Sequence, residues 1–76
     1  MQRTRVKRVD GDTAYVDVTM LQHWRNGHFG MFSRKRDMDP EPNGNPPILV
    51  PGDLVAVRLN RFDTTIVHAQ KVEAAQ

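Results

Sequence analysis

The chain has no cysteine, one serine (Ser33), and no apolar run near the roughly 18–20 residues needed to cross a bilayer. Each shortage excludes a class of protein. Without cysteine there is no disulfide framework, no thiolate metal site and no thiol nucleophile. Ser33 lies between Phe32 and Arg34, outside any G-x-S-x-G elbow, so serine-hydrolase chemistry has no nucleophile. His23, His28 and His68 fall at spacings that match no standard metal motif and read as polar surface residues. Asp39-x-Glu41-x-Asn43-Gly44 starts like a calcium loop. Val50 then stands where a bidentate Glu is needed, and Pro40 and Pro42 stiffen the positions between. Gly27 and Gly30 have no Lys-Ser/Thr after them, which excludes a P-loop. No catalytic residue, metal or cofactor is expected.

The basic start, MQRTRVKRV, leads into no apolar segment, so no secretory signal is expected. A soluble, cytoplasmic protein without membrane contact is the expectation. Seventy-six residues make one domain, 1–76, which buries only about 60% of its unfolded surface. Stability must come from apolar packing, helped by self-association or a partner.

Helical signals are also scarce, and what remains alternates. Residues 3–9, RTRVKRV, read as a strand. The odd spacing of Val6 and Val9 calls for a bulge or strong twist. Asp10-Gly11-Asp12 is a tight turn. Residues 13–20, TAYVDVTM, alternate, with Ala14, Val16, Val18 and Met20 on the core side and Tyr15 outward. The two runs form a hairpin. MLQHWR (20–25) reads as a helical turn or a strand extension. Asn26-Gly27 predicts a type I′ turn into a strand over 28–33. In that strand Phe29 and Met31 are assigned inward, Phe32 and His28 outward. Residues 37–47 hold four prolines plus Asn43-Gly44-Asn45 and read as a loop. Short strands are expected over 48–50, 54–60 and 65–72, with turns at Pro51-Gly52-Asp53 and Arg61-Phe62-Asp63. Apolar residues of both parities from Leu54 to Leu59 imply cover on both sides, and the tail 73–76 is expected to fray. The expected fold is all-β, a small five- to six-stranded OB-like barrel that hides its sheet edges.

Charge is lopsided. Residues 1–36 carry eight Lys/Arg against three Asp/Glu, and residues 37–76 carry three against six. A basic half suits a polyanion; acids and bases meeting in the fold would equally give a solvated, self-neutralised surface. Arg3, Arg5 and Lys7 share a parity and form a basic stripe. Aromatics are few at 7%, so their placement matters. Tyr15 on an outer face can stack on a base or pair across strands. Trp24 reads as a core residue, a partner anchor or a base platform. Phe62 belongs to the stacking set.

The V-x-x-V-D-G-D turn leads into AYVDV. Then follow Asn26-Gly27-His28, the run Ser33-Arg34-Lys35-Arg36, the segment Ile48-Leu49-Val50-Pro51-Gly52-Asp53-Leu54-Val55-Ala56-Val57, and Arg61-Phe62-Asp63. This order resembles the S1-like OB barrels, in particular the bacterial translation initiation factor one family. The P-G-D-x-V-x-V piece is also similar to TRAM domains. The loop at 37–47 is longer and richer in proline than in the initiation factor, and the glycine before the basic run is missing. The resemblance implies an RNA-binding role and would put Tyr15, His28, Phe32, Arg34, Lys35, Arg36, Arg58 and Arg61 on RNA. The leading expectation is therefore a non-catalytic binder of RNA or single-stranded DNA. The alternative is a small interaction or assembly module, anchored to a protein partner or a second copy by Trp24, Phe32 and the proline loop.

Overall fold

Strand β1 (Gln2–Asp10) changes partner half-way along its length. The computed structural model describes residues 1–17, 30–62 and 65–75. Within it, Gln2 to Arg5 pair antiparallel with β4 (Leu54–Leu59), Gln2 opposite Val57 and Arg5 opposite Leu54. From Val6 onward the strand pairs with β2 (Thr13–Val16), Val6 opposite Val16 and Asp10 opposite Thr13. The register slips between Val6 and Arg8. Lys7 is the extra residue of this expected bulge, which bends the strand and raises its twist. Gly11 closes the β1–β2 turn at φ 58°, a left-handed conformation that glycine adopts without steric penalty.

β3 (Gly30–Ser33) adds to β2 and β5 (Ile66–Glu73) adds to β4, giving one antiparallel sheet in the order β3-β2-β1-β4-β5. A single helical turn, α1 (Arg34–Asp37), follows β3 and packs against β5, while β3 itself approaches β5. The sheet thus curls into a five-stranded half-barrel, as the expected all-β barrel requires. Among the described residues no helix is long and apolar enough to cross a membrane.

The inside is filled by Val6, Ala14, Val16, Phe32, Val55, Val57, Ile66 and Ala69 from the strands. Met38 and Leu49 from the long β3–β4 connection close it. Ala56, on the outer side of β4, is also buried, because Arg3 and Gln70 flank it in the register. The apolar residues of both parities in this strand therefore mark cover on both faces.

Two expected features differ. Residues 48–50 alternate as a strand should, with Leu49 buried between exposed Ile48 and Val50, but they join no ladder. The Val50 N–H donates to an Asp53 carboxylate oxygen (2.9 Å) and its carbonyl accepts the Asp53 N–H (3.1 Å). The segment becomes the entry to a turn. Of the expected tail, residues 73–75 are held. Glu73 ends β5, and the Ala75 N–H donates to Asp53 Oδ1 at 2.6 Å.

Asp53 is fully buried and joins four segments. Its carboxylate accepts from Val50 and Ala75 and lies 3.4 Å from Lys71 Nζ. Its carbonyl accepts the Val6 N–H at 2.9 Å, beside a Gly52 N–H to Val6 carbonyl bond of 2.8 Å. Gly52 adopts φ 97°, and a Cβ there would sit 3.1 Å from that of Ala75. Burial pushes the Asp53 pKa up. The Val50 and Ala75 N–H groups and the Lys71 charge outweigh it, so the carboxyl is held below its ordinary value. Asp53→Ala, which removes the buried acceptor of two part-buried N–H donors and leaves Lys71 without its partner, is expected to lower unfolding free energy by about 3 kcal/mol in urea titration. The lowered pKa sets the pH dependence. The Asp53 contribution is fully present above the unfolded carboxylate pKa of about 3.9 and is lost as pH falls through the lower folded value. Wild-type urea midpoints should therefore drop below about pH 4, with a shallower drop in Asp53→Asn.

Candidate nucleic-acid interface

The bulge sorts the cations. Before it, odd-numbered residues of β1 face out; after it, even-numbered ones do. Arg3, Arg5, Lys7 and Arg8 are consequently all exposed on the outer side. Beyond the bulge Arg8 lies opposite Tyr15, and Tyr15 lies opposite Met31, forming one outward row across β1, β2 and β3. The Arg8 guanidinium carbon sits 4.4 Å from the Tyr15 ring centroid, a cation–π contact. Tyr15 points outward as expected, and of its two expected roles the cross-strand pair is formed. Met31 is 55% exposed beside it.

Met31 and Phe32 stand opposite to expectation. Phe32 is only 1% exposed, so its ring cannot stack on a base. The reason lies in β2: Phe32 is directly opposite Ala14, whose side faces the core, and the small alanine leaves room for the ring. Pairing with a strand of known phase sets the phase of β3. Gly30 to Ser33 alone contains an apolar residue on either parity.

The basic triplet also divides. Arg34 is 18% exposed in its side chain and works as a clamp. Its Nε donates to the Gly11 carbonyl (3.3 Å), one terminal nitrogen to the Pro47 carbonyl (2.7 Å), and the other reaches Asp12 Oδ1 (3.4 Å). Its own N–H donates to the Asp12 carbonyl. Arg34 therefore ties the β1–β2 turn and the proline loop to α1 and is not available to a phosphate. Arg36 is exposed, but both carboxylate oxygens of Asp37 accept from it at 3.1 Å. Ser33 caps α1 by accepting the Arg36 N–H (3.1 Å), and the Asp37 carboxylate accepts the Ser33 N–H in return (2.8 Å). Burial raises the Asp37 pKa, but the Arg36 bond, the Ser33 N–H and the nearby charges of Arg36 and His68 bring it below its ordinary value; Arg36 is raised in turn. Of the triplet, Lys35 alone is exposed with no carboxylate partner among the described residues.

At the other end of β1, Arg3, Arg5 and Arg58 are exposed and make no carboxylate pair among the described residues. Arg5 spends one donor on the Gly52 carbonyl (3.1 Å). Lys7 pairs with Asp17 at 3.3 Å and Arg8 with Asp10 at 3.0 Å. In the β4–β5 turn Arg61 lies over Phe62 (4.6 Å to the centroid), and Phe62 is 60% exposed. His28, Phe29, Trp24, Arg25 and the Asn26-Gly27 turn lie outside the described residues, as does Asp63. Arg8, Met31 and Phe62 of this surface fall outside the residues that the resemblance places on RNA, although the sequence already puts Phe62 in the stacking set. For Arg8 the odd spacing of Val6 and Val9 is the available signal, since a bulge there turns it outward.

No protein-family model matches this chain, and neither curated proteins nor solved structures show a significant likeness to it. The reading of the surface therefore rests on its own geometry. Arg34→Ala is expected to lower stability by about 2 kcal/mol, since it leaves the Pro47 carbonyl without its donor. Lys35→Ala should stay within about 0.5 kcal/mol of wild type. Urea midpoints of the two variants check the difference between a clamp and a free cation.

Proposed function

We propose that this protein binds single-stranded nucleic acid, RNA or DNA, without catalysing a reaction, through the outer face of its β1–β3 strands. The observation that carries this reading is the Arg8–Tyr15–Met31 row on a sheet face: an outward ring with the Arg8 guanidinium, itself paired with Asp10, over it and an exposed thioether beside it. Cations that follow the backbone and rings that accept bases are the two ingredients of sequence-tolerant single-strand binding.

The strand order adds support. A five-stranded antiparallel sheet whose end strands approach each other suits a partly open OB barrel, a fold that uses its strand 2–3 face for oligonucleotides. Tyr15 and Met31 sit on those strands. The resemblance in motif order to the initiation factor one family points the same way. Of the residues it implies, Tyr15, Lys35, Arg58 and Arg61 remain, together with Arg3 and Arg5 of the stripe. Phe32 and Arg34 leave the site because packing uses them, and Arg36 is weakened by Asp37.

A second reading, association with a protein or another copy, is favoured by Ile48 (74% exposed) and Val50 (47%), two apolar side chains beside the proline loop. Fluorescence anisotropy with labelled oligo(U) and oligo(dT) at two salt concentrations separates the two. Binding should weaken steeply with salt, and Tyr15→Ala should cost about 1–3 kcal/mol of affinity. Absence of binding at low salt, with mass rising with concentration in light scattering, would reverse the order of the readings.

A further inference from the structure

We infer that the bound single strand runs lengthwise along β1, from Tyr15 to the β4–β5 turn, and that Phe62 is its second stacking platform. This rests on the proposed single-strand binding and adds the path, the length and the far end of the site.

The row containing Tyr15 offers one cation, Arg8, and the neighbouring row Asp10–Thr13–Ser33 offers a carboxylate. A strand crossing β1–β2–β3 would meet little positive charge. Along β1 the opposite holds. Arg5 and Arg3 follow on the same outer side, separated by two strand steps, or ~6.7 Å. Val57 pairs with Gln2, so Arg58 projects one step beyond the start of that ladder, on the same outward parity as Ala56, which lies opposite Arg3. Arg61 and the exposed Phe62 come next, past the end of β4. Counting the bulge as one step, the path from the level of Tyr15 to that of Arg58 is about six strand steps, ~20 Å. At the other end Asp10 and Asp12 close it with negative charge.

These features predict a short site of about five nucleotides, near the lower limit for a fold of this size. They also separate the roles of the residues. Arginines along β1 and β4 contribute to the salt dependence; the two rings contribute affinity that salt does not remove.

The test titrates labelled oligo(U) strands from about 2 to about 16 nucleotides into the wild-type chain and three variants. The variants are Phe62→Ala, Tyr15→Ala and the triple Arg3→Ala, Arg5→Ala, Arg58→Ala, each checked by circular dichroism. Wild-type affinity should stop rising at about five to seven nucleotides. The triple variant should flatten the slope of log K against log salt by about 2, since each phosphate neutralised on a single strand contributes about 0.7. Tyr15→Ala should leave the slope unchanged. Phe62→Ala should weaken long strands about tenfold and leave the shortest ones unaffected, since they do not reach it. An unchanged slope in the triple variant, or a neutral Phe62→Ala at every length while Tyr15→Ala weakens binding, overturns the lengthwise path and leaves the binding face standing. No binding of any strand by the wild-type chain overturns both.

Discussion

Strand β1 has to belong to two halves of one curled sheet, and the bulge at Val6–Arg8 is what allows it. A straight strand would keep its parity. Val6 and Val9 could not then both face the core, because their spacing is odd. The extra residue, Lys7, shifts the phase so that both valines turn inward, Val6 opposite Val16 and Val9 opposite Ala14. The same shift turns Lys7 and Arg8 outward together. The core and the charged surface are thus two consequences of one backbone irregularity, which fits the frequent placement of bulges where a side chain must be re-aimed.

The acids of the chain have two uses. Asp37 and Asp53 are buried and serve as acceptors for backbone N–H groups that no strand or helix would satisfy, at Ser33 in one case and at Val50 and Ala75 in the other. Desolvation alone would favour their neutral forms. Both instead have lowered pKa values, so their donors supply more than burial removes. Asp10, Asp12 and Asp17 are exposed or half-buried and neutralise Arg8, Arg34 and Lys7. Exposed pairs of that kind add little stability. Their effect is to subtract cations from the surface that a polyanion would meet.

Much of the fold was legible in the sequence because alternation and turn residues agree. The β1–β2 hairpin, the bulge, the β4 strand and the turns at Gly11 and Gly52 follow from local pattern. Three elements did not. α1 is a single turn, too short to show a helical period, and Asp37 follows Ser33 by four residues, one more than the capping-box spacing. Residues 48–50 look like a strand in pattern; whether a neighbour supplies a ladder is a tertiary matter, and Asp53 takes the hydrogen bonds first. The phase of β3 depended on Ala14 across the sheet, a contact between distant residues that no window over 30–33 contains.

The candidate site was legible in composition but not in allocation. The basic half of the chain could be counted; which arginines were free could not. Arg34 and Arg58 look alike in the sequence, each within two residues of an apolar side chain, on a strand or at its exit. One is drawn into three carbonyl and carboxylate contacts because the β1–β2 turn and the proline loop both present acceptors to it. The other projects from β4 opposite His68 of β5, and no acid among the described residues pairs with it. Guanidinium groups go to internal acceptors where the fold brings loops together and stay available where it lays strands side by side. Here the β1–β2 turn and the proline loop meet at the Asp10–Asp12 end. Arg3, Arg5 and Arg58 are left without a carboxylate partner along β1 and β4, so the position of these arginines follows from where the chain turns rather than from where its basic residues cluster.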